Sequence, residues 1–246
     1  MSTALATVIL AAGKGTRMKS DLPKVLHKVL GETMVSRVVA RAKEAGSSQT
    51  IVIIGHKKEL LEQELSLKGV DFAVQAQQLG TGHAVMMAEP VLHDFSGDVL
   101  ILAGDVPLLS SETLIKLIKT HQEENADATV LSAIFDNPHG YGRIIRTPEG
   151  NYSHSVEEKD ADDEIKKIKE INSGIYVFKS KLLFHYLRFI GTDNKQGEYY
   201  LTDVLPLMRK DNKKIALQIA DDPDEIQGVN TVDQLREAEE KLKAQK

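Results

Sequence analysis

The chain has 246 residues, a formal net charge of −5 and no cysteine, a size that suits one large α/β domain or two small ones. Lack of cysteine removes disulfides, thiolate metal sites and thiol nucleophiles together. The negative balance argues against a general nucleic-acid binder, whose affinity comes from excess Lys and Arg on phosphates. The apolar opening LATVILAA is too short to span a membrane and follows no basic leader, so the expectation is a soluble, cytoplasmic protein.

In chain order, residues 7–11 read as a buried strand and run into a turn rich in glycine and cations, G-K-G-T-R-M-K-S-D-L-P-K at 13–24. Met34, Val35, Val38, Val39 and Ala42 then recur at helical spacing. Residues 50–54, 71–74 and 98–103 are again short and β-branched or apolar. Leu114, Leu117 and Ile118 share a helix face behind Ser110-Ser111-Glu112. This alternation predicts a Rossmann-like, mostly parallel sheet flanked by helices over residues 1–125.

Residues 128–135, 143–146, 152–156 and 170–178 are strand-like, with turns at Asn137-Pro138 and Pro148-Glu149-Gly150. They predict a smaller mixed or antiparallel sheet within 126–230. The mixed-charge run 157–169 reads as a solvated loop or short helix. Thr231-Val-Asp-Gln234 is a capping-box pattern opening a helix over 231–246, with Leu235, Ala238 and Leu242 on one face. The histidines, His27, His56, His83 and His121 among them, show no ligand spacing and read as surface, capping or packing residues.

The turn at 13–24 follows the first strand, and ligands of open α/β sheets sit outside the carboxyl ends of the strands. Gly13 and Gly15 allow backbone N–H groups to come close to phosphate oxygens. Arg17 can fork across two oxygens, Lys24 adds a movable point charge, and Pro23 restricts where that lysine goes. The spacing is neither a P-loop nor a dinucleotide fingerprint, because Met18 stands where the third glycine would be. A dinucleotide-dependent oxidoreductase also lacks its acidic residue after the second strand, where Ile54-Gly55-His56 stands.

The run L-A-A-G-K-G-T-R-M-x-S-x-x-P-K resembles the nucleotide-binding signature of sugar-1-phosphate nucleotidylyltransferases. More narrowly, it resembles the uridylyltransferase domain of bacterial bifunctional N-acetylglucosamine-1-phosphate uridylyltransferases. The likeness continues in order through QAQQLGTGHA (75–84), GDVPL (104–108), GYGRI (140–144), VEEKDA (156–161), INSGI (171–175), QGEYYLTD (196–203) and GVN (228–230). It implies the nucleotide-diphospho-sugar transferase fold and a cytoplasmic enzyme. That enzyme makes UDP-N-acetylglucosamine, a precursor of peptidoglycan and lipopolysaccharide, and pyrophosphate from UTP and N-acetylglucosamine 1-phosphate.

Residue by residue, the resemblance implies nucleotide contacts from Leu10, Ala11, Ala12, Gly13 and Gly15. Further contacts come from Gln75, Gln78, Gly80, Thr81, Ala103 and Gly104, with Arg17 and Lys24 catalytic. It implies Mg²⁺ on Asp105 and Asn230, and sugar-phosphate contacts from Gly142, Glu157, Asn172, Tyr200 and Thr202. Local sequence leaves other readings open at several of these positions. The 75–81 segment also reads as a polar turn into a helix capped by Thr81, Asp105 as a turn aspartate, Asn230 as part of a helix start and Glu157 as solvated surface.

Two features depart from the family pattern. Ala103 stands where many relatives carry tyrosine or another larger or polar residue. The left-handed β-helix of hexapeptide repeats, which carries acetyltransferase activity and drives trimer formation, has no counterpart in this sequence, so neither acetyl transfer nor an oligomer is implied. Rival readings are another sugar 1-phosphate or nucleotide, such as galactosamine derivatives or dTTP, and a non-catalytic nucleotide-sugar sensor.

Overall fold

The structure is a computed structural model that describes residues 3–13 and 15–244. β1 (Leu5–Leu10) is apolar apart from Thr7 and buried on both faces, as a central parallel strand requires. After it come a short hairpin, β2 (Lys28–Val29) and β3 (Glu32–Thr33), helix α1 (Met34–Glu44), β4 (Gln49–Ile54), α2 (Lys58–Leu65) and β5 (Asp71–Val74). Helix α3 (Thr81–Met86), β6 (Asp98–Ala103) and α4 (Ser111–Glu123) complete the first half. The second half runs β7 (Ala128–Ile134), β8 (Gly142–Arg146), β9 (Tyr152–Val156), α5 (Asp163–Lys166), β10 (Glu170–Lys179) and α6 (Ser180–Leu187). It ends with α7 (Val204–Lys210), β11 (Ile215–Ile219) and α8 (Val232–Ala244).

The main sheet has the order β11-β7-β10-β6-β1-β4-β5, with β8 and β9 attached through β10. β1 is parallel to β4 and β6, β4 to β5, and β11 to β7. β10 alone among the seven strands of that path runs against its neighbours. The fold is thus the expected mostly parallel sheet with flanking helices and a smaller antiparallel part. That smaller part is not detached, because Ile171 and Asn172 of β10 pair with Arg143 and Gly142 of β8. Among the described residues, no helix is long and apolar enough to cross a membrane.

Alternation along the strands divides the core between the two faces. Ile9, Val52, Leu100 and Leu102 pack with Val38 and Val39 of α1, Leu61 of α2 and Leu117 of α4. Val8, Ile51, Val99 and Ile101 pack with Val85 of α3, Leu183 of α6 and Met208 of α7. Both clusters include strands from each half of the chain, so the halves share one hydrophobic interior. The helices start where side chains can take the free N–H groups. Thr33 Oγ1 accepts from Ser36 N at 3.3 Å and Ser110 Oγ from Thr113 N at 3.1 Å. At α8, Thr231 Oγ1 accepts from Gln234 N at 3.2 Å while Gln234 Oε1 accepts from Thr231 N at 3.2 Å, the reciprocal capping box that the sequence pattern predicts.

Register places the functional edge. Leu10 pairs with Ile53 and with Ala103, and Ile54 with Val74, so β1, β4, β5 and β6 end close to level. The segments that follow them, 11–24, 55–57, 75–80 and 104–110, therefore leave from one rim. Strand boundaries differ from expectation by one or two residues at β1, β4, β7, β8 and β10. β2, β3, α2, β11, α6 and α7 are additions to the sequence reading, and the 157–169 run holds the four-residue helix α5 within a mostly irregular segment.

The rim includes one backbone geometry that only glycine tolerates. Gly80 has φ 111° and ψ 175°, and a Cβ there would lie 2.5 Å from Tyr199 O. Gly13 has open space around its own Cβ direction. Gly80→Ala should lower unfolding free energy by about 2 kcal/mol or more, whereas Gly13→Ala should stay within about 1 kcal/mol of the parent. Urea denaturation of the two variants checks the contrast.

Candidate active site

The first turn is shaped by Gly15, which has φ 62° and ψ 35° before a 3₁₀ turn over Thr16–Met18. A Cβ on Gly15 would lie 2.5 Å from Lys24 Cβ, so the loop closes on itself only with glycine there. Met18, 1 % exposed, anchors the loop from below. Pro23 leads directly into a second 3₁₀ turn, Lys24–Leu26, whose Val25 and Leu26 are buried. The apolar pair fixes the backbone and leaves the Lys24 side chain to reach across the rim.

It reaches the head of β6. Lys24 Nζ bonds to Asp105 Oδ2 and donates to Asn230 Oδ1 at 2.8 Å, and Arg17 Nη2 donates to the same Asn230 oxygen at 2.9 Å. Val229 N donates to Asp105 O at 2.8 Å, which ties the loop before α8 to the end of β6. The structure thus brings Arg17, Lys24, Asp105 and Asn230 to one point, with Asn230 just outside the capped start of α8. Asp105 and Asn230 offer a carboxylate and an amide oxygen, hard donors already facing positive charge. Among the described residues no group of three or more His, Cys, Asp or Glu could hold a metal ion. A cation at this point would rest on these two side chains, with the rest of its shell coming from ligand or water.

Beside this point, Gln75 lies at the end of β5 and is 3 % exposed. Its Nε2 donates to Gly80 O at 3.0 Å and lies 3.0 Å from His83 Nδ1, which must accept. Both amide hydrogens are therefore engaged, and the Oε1 acceptor is the part left to a ligand. Sequence alone credits this amide with donors and an acceptor; the packing narrows it to an acceptor. Gln78 Nε2 donates to Gln75 O at 3.1 Å, so Gln78 supports Gln75. Gly55 makes room for both, since a Cβ there would lie 2.8 Å from Gln78 Nε2 and 2.9 Å from Gln75 O. The Cβ direction of Gly80, the glycine expected to admit a base, faces the Tyr199 backbone. Gly82 N donates to Tyr199 O at 2.8 Å, and Thr81 Oγ1 accepts from Leu201 N at 3.0 Å. Leu10, Ala11, Ala12, Ala103 and Gly104 line up at the heads of β1 and β6, where Gly104 N donates to Leu10 O at 2.9 Å.

Gly142, Glu157, Asn172 and Thr202 share a cavity of about 200 Å³, which Leu10 and Thr81 also line. Thr202 Oγ1 donates to Glu157 Oε1 at 3.3 Å. Gly142 gives that carboxylate room, because a Cβ would sit 3.4 Å from three of its atoms. Tyr200 is not among the lining residues; its hydroxyl accepts from Gln196 Nε2 at 2.6 Å. Tyr141 lines the cavity too, and its hydroxyl accepts from Gly228 N at 3.3 Å. One hydrogen bond therefore separates the cavity wall from the Asn230 loop. Tyr141, Tyr176, Ser155 and His83 are site neighbours that sequence reasoning does not single out: Tyr176 and Ser155 lie inside strand-like runs and read as packing, Tyr141 follows a turn, and His83 shows no ligand spacing.

Residues 6–244 match the family model described as nucleotidyl transferase. The chain belongs to that family. It is 52% identical over 223 residues to bifunctional protein GlmU of Streptococcus suis, covering 91% of this chain and 48% of that protein. It is 52% identical over 239 residues to the protein of the same name from Caldanaerobacter subterraneus, covering 97% and 52%, and 46% identical over 242 residues to that of Syntrophomonas wolfei, covering 98% and 54%. The chain spans about half the length of these curated relatives. A solved UDP-glucose pyrophosphorylase complexed with UDP-glucose superposes with TM-score 0.78 at 20% identity, covering 99% of this chain and 100% of that one. At that identity the likeness is one of fold.

Burial and the nearby Asp203 and Asp160 push the Glu157 carboxyl above its ordinary range, and the Thr202 hydrogen bond offsets part of this. Asp203 is raised for the same reasons, burial first and then Asp160. A folded-state value above the unfolded one means that ionised Glu157 costs stability, and that the cost fades as pH falls through the raised value. Glu157→Gln should therefore raise Tm at pH 7.5, with the gain shrinking on acidification. Calorimetry across pH checks this, and a lower Tm at pH 7.5 would refute the burial argument.

Proposed function

We propose that the chain transfers the uridylyl group of UTP to N-acetylglucosamine 1-phosphate, giving UDP-N-acetylglucosamine and pyrophosphate. The observation that carries this reading is the meeting of Arg17, Lys24, Asp105 and Asn230 at the rim, one hydrogen bond from the polar cavity. The GlmU relatives at about half identity support the choice of nucleotide and sugar.

A phosphate oxygen of the sugar 1-phosphate attacks the α-phosphorus of UTP, the bond from that phosphorus to the β-phosphate bridging oxygen breaks, and pyrophosphate leaves. The nucleophile is already an anion, so no general base is required. The barrier lies in holding two polyanions together and in stabilising the charge that develops. Gln75 Oε1 offers an acceptor to the imino N–H of uracil. Glu157, Asn172 and Thr202 hold the sugar, and the backbone of the first turn faces the phosphates.

The oxygens of Asp105 and Asn230 suit Mg²⁺, as their contacts with two cationic side chains already show a preference for positive charge. Bound there, Mg²⁺ would supply a hard cation that neutralises phosphate oxygens. Lys24 and Arg17 contact those same side-chain oxygens, and the phosphates of a bound triphosphate would compete with them for both cations. Lys24 then neutralises the α-phosphate and Arg17 the β- and γ-phosphates.

A matrix of nucleoside triphosphates against sugar 1-phosphates with Mg²⁺, read as pyrophosphate, tests the assignment. UTP with N-acetylglucosamine 1-phosphate should rank first; UTP binding without pyrophosphate release would instead identify a sensor. Lys24→Met should lose about 10²–10³ in turnover. The same change should tighten binding of Mn²⁺ to the nucleotide-free protein, measured by electron paramagnetic resonance, because the competing ammonium is gone. Unchanged or weaker Mn²⁺ binding would show that Lys24 does not compete for the site.

A further inference from the structure

Strand β10 carries an irregularity in the wall of the sugar cavity. Its pairing with β7 shifts register between Asn172 and Tyr176, and Gly174 in between has φ +78°. A bulge of this kind removes N–H groups from the ladder, and here side chains take them back. Gly174 N donates to Asn172 Oδ1 at 3.1 Å, Ile175 N donates to Ser173 Oγ at 3.0 Å, and Ser173 Oγ donates to Leu131 O at 2.6 Å.

This settles which way the Asn172 amide faces. A backbone N–H only donates, so the atom it meets is the amide oxygen. The Tyr176 hydroxyl donates to the same oxygen at 2.9 Å. Tyr176 is 2 % exposed, and burial raises its phenol well above the ordinary range, so its proton is in place throughout the neutral region. Both lone pairs of Asn172 Oδ1 are then filled from within the strand. The amide nitrogen has only Ser155 Oγ, at the long distance of 3.4 Å, and the Ser155 hydroxyl lies 3.0 Å from that of Tyr152.

We propose that Tyr176 is a specificity-determining positioning residue: by filling the second lone pair of Asn172 Oδ1 it makes Asn172 a pure hydrogen-bond donor toward the sugar. The proposal rests on the reading of this cavity as the sugar site. The wall then offers a donor at Asn172 and an acceptor at Glu157, which together complement a substituent bearing both a carbonyl oxygen and an N–H. An acetamido group has both; a hydroxyl in its place offers one short oxygen that cannot span them. Without the Tyr176 hydroxyl, Oδ1 regains a lone pair open to hydroxyl donors, and the preference weakens.

Steady-state kinetics of the whole chain with Tyr176→Phe, Asn172→Ala and the double variant test this, with thermal melts confirming the fold. Tyr176→Phe should raise KM for N-acetylglucosamine 1-phosphate about 3- to 10-fold, the worth of one neutral hydrogen bond. It should narrow discrimination against glucose 1-phosphate while leaving kcat and KM for UTP in place. In the Asn172→Ala background, which removes the oxygen that Tyr176 donates to, the Phe change should add less than about twofold, because the two side chains act as one unit. Full additivity would show that Tyr176 contacts substrate on its own account, and unchanged sugar KM would show that its hydroxyl sets nothing; either overturns the proposal while the enzyme assignment stands. Absence of pyrophosphate release by the parent chain with every sugar 1-phosphate would overturn both.

Discussion

The Lys24 ammonium holds together pieces of chain that the sequence keeps far apart. Its partners Asp105 and Asn230 lie 81 and 206 positions away, and Arg17 meets Asn230 across 213. The arrangement is possible because β1 and β6 are register neighbours whose loops leave the same rim. The Val229–Asp105 backbone bond then draws the last loop onto that rim. Everything else in the site is arranged around this point. Removing the cations would leave a carboxylate and an amide oxygen facing each other with no compensating charge, and removing the oxygens would leave two cations in repulsion. The cluster suits a protein that exchanges one set of charges for another as a polyanion arrives.

Much of the rim was legible from residue types. Gly15, Arg17, Pro23 and Lys24 sit within ten positions, and their chemistry points to phosphate whatever the fold. The apolar runs that become β1, β4 and β6 are long enough to be placed within two residues. The capping box at Thr231 was visible because its two partners are three positions apart. Asn230 shows where local reading stops. On local sequence it is an extra polar residue before a helix; the family resemblance gives it another job, and in the structure it meets Arg17 and Lys24.

The cavity at Asn172 and Glu157 was harder to read for a related reason. Asn172, Ser173 and Gly174 lie inside an otherwise apolar β-branched run, and periodicity treats them as one continuous strand. The bulge that turns them toward the cavity is a pairing defect between β10 and β7, and pairing is not written in either strand alone. β11 escaped for a simpler reason. Its sequence IALQI has only two β-branched residues and follows a charged turn, so its place at the sheet edge comes from parallel pairing with β7.

The two sides of the site are joined by hydrogen bonds and shared lining residues. Gly82 and Thr81 are bonded to the Tyr199–Leu201 segment, and Leu10 and Thr81, at the strand-end rim, also line the cavity that holds Asn172. Tyr141 joins the cavity to the loop that carries Asn230. These bonds set the spacing between the rim and the cavity through packing within the fold. For the proposed reaction, rate enhancement in such a frame would come from fixed position and fixed charge. Lys24 and Arg17 stand on the rim with hydrogen-bond partners that phosphate oxygens could replace. Two cations on a packed frame suit the proposed transfer, whose difficulty is charge and whose nucleophile is already an anion.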